Sequence, residues 1–268
     1  MVRGLYTAAS GALVAQSMAE NVANNLANID TSGFKQTLLQ IQSAPTLDLY
    51  RIQTDPGQSP HRATPGVSVA PRVGTLGTGS SVYDTPEDFS QGALQQTGNK
   101  YDLAITGSPN AFFTVQTPQG IRYTRDGQFT VDANNNLTTM DGSLVMGQNG
   151  QPVTVQPQLG PVTIGTDGTL SQAGQQFGRV QLTGFNNLLA LRKEGDNNFV
   201  DTGNARPGAP GVNAGLQQGF VEKSNGNVVR SMVDLITAER WFDANERSIK
   251  TQDDATNQLI GNVAKPLT

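Results

Sequence analysis

Residues Ala23 to Lys35 read ANNLANIDTSGFK, and the reading of this stretch decides where the first element of the chain ends. Upstream of it, Leu5, Ala8, Ala12, Ala15, Ala19, Val22, Leu26 and Ile29 follow a three-four alternation, the spacing of one face of a helix that packs along a seam. The period runs through the small residues around Ala15 to Ala19, where a secretory leader with Arg3 as its basic flank would be cut. A retained helix, not a disposable leader, is therefore predicted. Asn24, Asn25 and Asn28 lie off or beside the seam, and Gly33 is predicted to supply the helix-ending turn. Half of the seam residues are alanine, so the side chains bury too little apolar area to offset the backbone entropy of ordering the segment by itself. It is expected to be helical only against partner helices.

A second helix is predicted at the other end, over 227–264. Val228, Leu235, Phe242, Ile249, Thr256 and Val263 recur every seven residues. Met232 opens a second track through Glu239, Glu246 and Asp253 to Ile260. The acids fit a solvated helix flank, or partners for Arg240, Arg247 or Lys250 of neighbouring copies. Trp241 beside Phe242 is the kind of pair that packs more often than it binds a ligand.

Between the ends the period drops to two. AFFTVQT places Ala111, Phe113 and Val115 on one face, FTV pairs Phe129 with Val131, PVTVQP pairs Val153 with Val155, and RVQLTGF pairs Val180 with Leu182. These are predicted half-buried strands. Asp126-Gly127, Asp141-Gly142, Asn149-Gly150 and Asp167-Gly168 fall between them and suit hairpin turns with positive φ. Residues 36–82 carry Pro45, Pro56, Pro60, Pro65 and Pro71 among Gly, Ser and Thr, a composition of extended loop, and 206–226 repeats it. The expected organisation is therefore an N-terminal helix over 1–35, a loop over 36–82, a β domain over 83–205, a loop over 206–226 and the C-terminal helix. The fold class is α+β, with the terminal helices forming a coiled-coil-like axial domain beside a central antiparallel β domain.

Charge and chemistry exclude several functions. A net charge of -4 and scattered Lys and Arg give no basic field for nucleic acid. No apolar run approaches the roughly 20 residues that span a bilayer, so membrane insertion is not expected. The absence of Cys removes thiol nucleophiles, disulfides and Cys-based zinc sites. Asn and Gln together outnumber the charged residues, which suits contacts made without strong charge. His61 lies in the Pro-rich loop with no neighbouring acid or nucleophile, Asp84, Glu87 and Asp88 surround Pro86 as turn acids, and GTLGTG from Gly74 lacks a phosphate-loop lysine. Asp132, Asn134 and Asn136 match the start of a calcium loop, but Leu137 and Ser143 stand where it needs glycine and a bidentate acid. No catalytic residue, cofactor or metal is expected. A wall-acting hydrolase is disfavoured on that ground, and a secreted β-rich adhesin would leave the two helical seams unexplained.

The opening stretch resembles the N-terminal motif of the flagellar rod and hook proteins, the axial proteins of the bacterial flagellar basal body. Two further blocks match in order. DFSQGALQQTGNKYDLAITG followed by FFTVQTPQGIRYTRDGQF is similar to the start of the rod members' β domain, and QGFVEKSNGNVVRSMVDLITAERWFDANERSIKTQDD to their C-terminal helix. QTPQGIRYTRDGQF and LRKEGDNNF lean toward the proximal-rod type, while the 43–82 loop is also compatible with the distal type. The resemblance implies a structural subunit that is exported unfolded through the flagellar type III apparatus without a cleaved signal. It implies helical stacking with copies of itself, other rod proteins and hook or ring proteins, in a hollow shaft across the envelope and periplasm that transmits torque. Implied assembly contacts are Leu5, Ala12, Ala19, Val22, Asn24, Asn25, Leu26, Asn28, Ile29, Gly33 and Phe34 at one end. At the other they are Val228, Met232, Leu235, Phe242, Ile249 and Ile260. Two departures from the family pattern stand out. Pro109 to Ala111 interrupt the run from Gly107 into the aromatics, and Gly226 replaces an apolar residue, which is expected to loosen the first turn of the C-terminal helix.

Overall fold

The computed structural model describes residues 2–50 and 72–263. His61 and the prolines at 56, 60, 65 and 71 lie outside the described residues. The class is α+β, with a helix at each end and an antiparallel β-rich middle. The chain divides into two compact units, one made of Met1–Val22, Leu39–Thr85 and Val233–Thr268, the other of Ala23–Leu38 and Pro86–Met232.

The first unit contains most of α1 (Val2–Ala27) and α2 (Val228–Val263), with four short strands. These are β1 (Gln40–Ser43), β2 (Leu47–Tyr50), β3 (Arg72–Leu76) and β4 (Ser80–Asp84), paired antiparallel as β1 with β4 and β2 with β3. Strands thus occupy both flanks of the stretch read as loop. Their pairing is non-local and each is only four or five residues long, so no short-range period announces them. In α1 the buried apolar side chains are Ala8, Val14, Ala15 and Val22, while Leu5, Tyr6 and Leu13 are exposed. A Cβ at Gly4 would come within 2.7 Å of Oε1 of Gln252, and one at Gly11 within 2.7 Å of Oδ1 of Asn245. Within this unit, therefore, α1 and α2 meet antiparallel, with amides of α2 filling glycine notches of α1.

The second unit carries sixteen strands, β5 (Leu94–Gln96), β6 (Leu103–Thr106), β7 (Ala111–Thr117), β8 (Gly120–Thr124), β9 (Phe129–Val131), β10 (Leu137–Thr139), β11 (Leu144–Val145), β12 (Val162–Ile164), β13 (Thr169–Gln172), β14 (Gln175–Arg179), β15 (Leu182–Phe185), β16 (Leu191–Lys193), β17 (Asn198–Asp201), β18 (Pro207–Gly208), β19 (Gly215–Gln218) and β20 (Phe220–Glu222). Nine of them form one sheet running β16-β17-β8-β7-β11-β10-β9, with β15 bridging β7 and β18. β12 to β14 make a three-stranded meander, and β6 pairs with β19 as β5 does with β20. β18 to β20 fall in the stretch read as loop over 206–226.

β7 departs instructively from its predicted half-burial. Phe113 joins a core with Leu103, Phe129, Val145 and Leu170, whereas Phe112 joins a second with Phe89, Phe185 and Phe199 on the opposite face. Both faces of the strand are covered, so alternation of residue type survives while alternation of exposure does not. The polar side chain on the Phe112 face is also satisfied, because the hydroxyls of Thr114 and Thr183 meet at 2.8 Å. Gly142, Gly150 and Gly168 adopt the positive φ expected of them. Gly127 does not, and is small for another reason: a Cβ there would overlap the Leu103 carbonyl oxygen.

Candidate functional site

The helix that enters ANNLANIDTSGFK ends at Ala27, six residues before Gly33. Asn28 ends it, because its Nδ2 donates to the Asn24 carbonyl at 2.9 Å and its Oδ1 accepts from the Thr31 hydroxyl at 3.3 Å. Gly33 has another task. It holds φ +68°, its nitrogen donates to the Glu222 carbonyl at 2.7 Å, and a Cβ would overlap the backbone of Arg125 and Asp126. Only glycine supplies both the left-handed backbone and the clearance.

The asparagines divide by role. Asn25 is buried and clasps the backbone of Thr37 from both sides, donating from Nδ2 to its carbonyl and accepting its amide at Oδ1, each at 2.9 Å. Asn24 and Leu26 stay at least partly open to solvent. Phe34 is buried, with Nζ of Lys193 3.6 Å from its ring centroid, a cation–π contact. The chain then turns along 86–88, where Leu38 N donates to the Pro86 carbonyl and Asp88 N to the Gln36 carbonyl. Glu87 accepts the Thr37 hydroxyl and Asp88 accepts Gln36 Nε2 and Ser90 N, so these acids fasten the motif instead of facing solvent.

Next to Gly33 sits a buried ionic cluster that sequence reasoning did not single out. Lys35 donates to Oε1 of Glu222 at 2.6 Å and to the Ser90 carbonyl at 2.7 Å. Arg125 donates to Oε2 of Glu222 at 3.1 Å and to the Ser108 carbonyl at 2.7 Å, while Gly92 N adds a third donor to Glu222 at 2.8 Å. The side chains of all three ions are fully buried. Burial pushes the Lys35 ammonium below its usual range, opposed by the attraction of Glu222, and lowers the Arg125 pKa in the same way. With its proton donors committed to two acceptors, Lys35 is a structural ion and not a free amine. No local pattern in DTSGFK, YTRDGQF or QGFVEK marks Lys35, Arg125 and Glu222 as partners, because each block also carries a second charge of opposite sign, Asp30, Asp126 or Lys223.

Around the cluster the exit of α1 and the entry of α2 are stapled together. Gln36 N donates to Oδ1 of Asn225 at 2.9 Å, Asn225 Nδ2 reaches the Asp88 carbonyl at 2.7 Å, and Lys223 meets Asp30 at 3.3 Å. Gly226 precedes α2 and does not loosen it; a Cβ there would lie 2.9 Å from Cδ1 of Ile29. Asn227 caps the helix, its Oδ1 accepting Arg230 N at 3.1 Å.

A cleft of about 590 Å³ opens beside this junction, walled by Asn24, Asn28, Thr31 and Phe34, by Asp126 and Gln128, and by Lys193 and the Gly195–Asn197 turn. Asp196 and Asn197 hold positive φ, and Asn197 Nδ2 donates to the Ser32 carbonyl at 3.1 Å. Burial, with added repulsion from Asp141 and Asp102, pushes the Asp126 carboxyl up to about 6. Elsewhere Asp132 spends Oδ1 on the amides of Asn134 and Asn136, which makes the calcium-like stretch a self-closed turn. Among the described residues no group of acids or His is placed to hold a metal ion.

The three blocks that meet here also carry the likeness to known proteins. Family models match at 5–35 (flagella basal body rod protein), 104–172 (flagellar hook protein FlgE/F/G D1 domain) and 217–262 (flagellar basal body rod FlgEFG protein C-terminal). A FlgF of Caulobacter vibrioides is 33% identical over 99% of both chains. A FlgG of Bacillus subtilis is 32% identical over 97% of this chain and 98% of its own, and a Buchnera aphidicola FlgG 34% over 97% and 99%. The chain belongs to the flagellar basal-body rod proteins. It is a structural, non-enzymatic subunit of the rod in the flagellar basal body.

Of the residues expected to make assembly contacts in this rod protein, Asn25, Gly33 and Phe34 are engaged within the chain, and Val22 is buried. Ala12, Ala19, Leu26, Asn28, Ile29, Leu235 and Ile249 are half-buried. Leu5, Asn24, Val228, Met232, Phe242 and Ile260 are exposed.

Proposed function

We propose that this rod protein polymerises helically through α1 and α2, which pack in coiled-coil fashion against those of neighbouring copies to build a hollow shaft. The shaft transmits motor torque and passes export substrates. Its partners are copies of itself, other rod proteins, hook or ring proteins and the type III export apparatus, through which the chain leaves unfolded with no cleaved signal. The shaft spans the periplasm, and the TPQGIRYTRDGQF and LRKEGDNNF blocks favour the proximal type of rod subunit.

The observation that carries this reading is the exposed apolar surface of the helices. Leu13 is 65% exposed, Val233 57%, Ile236 50% and Trp241 50%, with Tyr6, Val229 and Met232 open as well. Such a surface is expected of an interface awaiting partners. The test is limited proteolysis of dilute monomer, with fragment masses read by mass spectrometry. A core near 83–220 that survives while roughly the first 35 and last 45 residues are lost supports assembly-coupled ordering. Termini that resist digestion overturn it.

A further inference from the structure

Three stretches far apart in sequence meet inside the second unit, to which all of their residues belong. Residues 33–38 are flanked on one side by 86–90, where Thr37 bridges Glu87 antiparallel, Leu38 N donates to the Pro86 carbonyl and Asp88 N to the Gln36 carbonyl. On the other side stand β20 and the residues after it, with Gly33 N donating to the Glu222 carbonyl and Gln36 N to Oδ1 of Asn225. This stretch is therefore inserted between two parts of the unit and hydrogen-bonded to both, unlike a tail laid over a finished surface.

Side chains complete the insertion. Phe34 and Lys35 are both buried, and the Lys35 ammonium reaches the two flanks at once, donating to the Ser90 carbonyl and to Oε1 of Glu222. Asn25 ties the end of the helix to the same stretch by holding both backbone groups of Thr37. Withdrawing these residues would take partners from both flanks together and admit water to the unit. An ammonium is buried at tolerable cost only with its acid in place. That acid, Glu222, stands on β20, the last strand, so the N-terminal stretch cannot lock until β20 is in position.

We infer that the stretch from Asn25 to Leu38 is a clasp already closed on the second unit in the unassembled chain, with the Lys35–Glu222 pair as its lock. At the N-terminal end, the order that awaits assembly then begins upstream of the clasp, in residues 2–22. This rests on the reading of α1 as a helix ordered by assembly, and the two can fail separately because they concern different residues.

The test is hydrogen exchange of the purified full-length chain, read by mass spectrometry on peptides covering 28–38, 5–20 and β7. The amides of Gly33, Gln36, Thr37 and Leu38 are expected to exchange at least about 100-fold more slowly than in an unstructured chain, while those of 5–20 exchange freely. Free exchange across 28–38, or loss of the whole first 35 residues to protease, overturns the clasp and leaves the polymerising role standing. Protection of both 28–38 and 5–20 upholds the clasp and overturns assembly-coupled ordering of α1. Lys35→Glu sets a second acid against Glu222, whose carboxylate Arg125 and Gly92 N still hold. It is expected to lower protection across 28–38 about tenfold while β7 stays within about twofold of its unaltered rate. Where β7 also loses protection, Asn25→Ala decides, because it leaves the buried ions in place, removes the hold on Thr37, and is expected to speed exchange at Thr37 and Leu38 about threefold. Protection of 28–38 that survives both substitutions overturns the inference.

Discussion

β7 and α2 follow opposite burial rules within one chain. Along Ala111–Thr117 even the polar side chains are wholly or partly covered, and an aliphatic-rich core and a phenylalanine-rich core lie on its two faces. Along Val228–Val263 most side chains are open to solvent, including the only tryptophan. One region satisfies its apolar groups by folding, while the other carries apolar groups that its own chain leaves unsatisfied. A protein built in this way is complete in its β region and incomplete in its helices. Each prediction below asks whether that division holds.

The largest effects should come from the covered region. Glu222→Ala leaves Lys35 and Arg125 buried without their shared carboxylate, and is expected to destabilise by about 3–5 kcal/mol. Phe113→Ala, which removes a fully buried ring stacked edge-on to Phe129 at 5.0 Å, belongs to the same range of about 3–5 kcal/mol. Denaturant unfolding followed by near-UV circular dichroism reads both. A loss below 1 kcal/mol in either would mean that the β region is not the self-sufficient part.

Gly33→Ala comes next. It forces a side chain into a left-handed backbone at φ +68° against the Asp126 backbone, with an expected cost of about 1–3 kcal/mol. The same measurement checks it, and Gly174→Ala serves as control, since that glycine also has positive φ but open space around it. A smaller step is expected from Asp126, whose carboxyl is raised to about 6 chiefly by burial. A raised acid favours the native state fully below its unfolded value and loses that contribution as pH climbs through the folded one. Stability should therefore fall between about pH 4 and pH 6, by about 1–2 kcal/mol after discounting for partial exposure. Asp126→Asn should flatten the profile, and an unchanged slope would remove Asp126 as its cause.

The helices were legible in the sequence because a heptad repeated over many turns outweighs local noise, as Val228, Leu235, Phe242 and Ile249 show. Where α1 stops was not legible, since Gly33 looks like a helix-ending residue and the actual stop is made by Asn28 side-chain bonds. β7 and the hairpins at Asp141-Gly142 and Asp167-Gly168 were readable from period and turn chemistry. β19 and β20 were not, because their partners β6 and β5 lie more than a hundred residues upstream and Gly219 breaks the run between them. The Lys35–Glu222 pair spans 187 residues of sequence. No local pattern encodes such a contact, since Asp30 near Lys35 and Lys223 beside Glu222 are the charges that lie close in sequence.

The smallest expected effect on stability bears most directly on the comparison. Ile236 is half exposed on α2, so Ile236→Ser removes little that the isolated chain has buried, and should shift monomer unfolding by no more than about 0.5 kcal/mol. In the rod the same side chain is expected to be covered by a neighbouring copy, so the variant should fail to restore motility to cells lacking the parent protein. Ala238→Ser makes the opposite case, because that methyl is fully buried within the chain, and a hydroxyl there must find a partner or cost about 1–3 kcal/mol in the monomer. If Ile236→Ser instead destabilised the monomer as much as Ala238→Ser, the outer face of α2 would already be packed before assembly. Its apolar residues would then be core, and the contrast between a finished β region and unfinished helices would disappear.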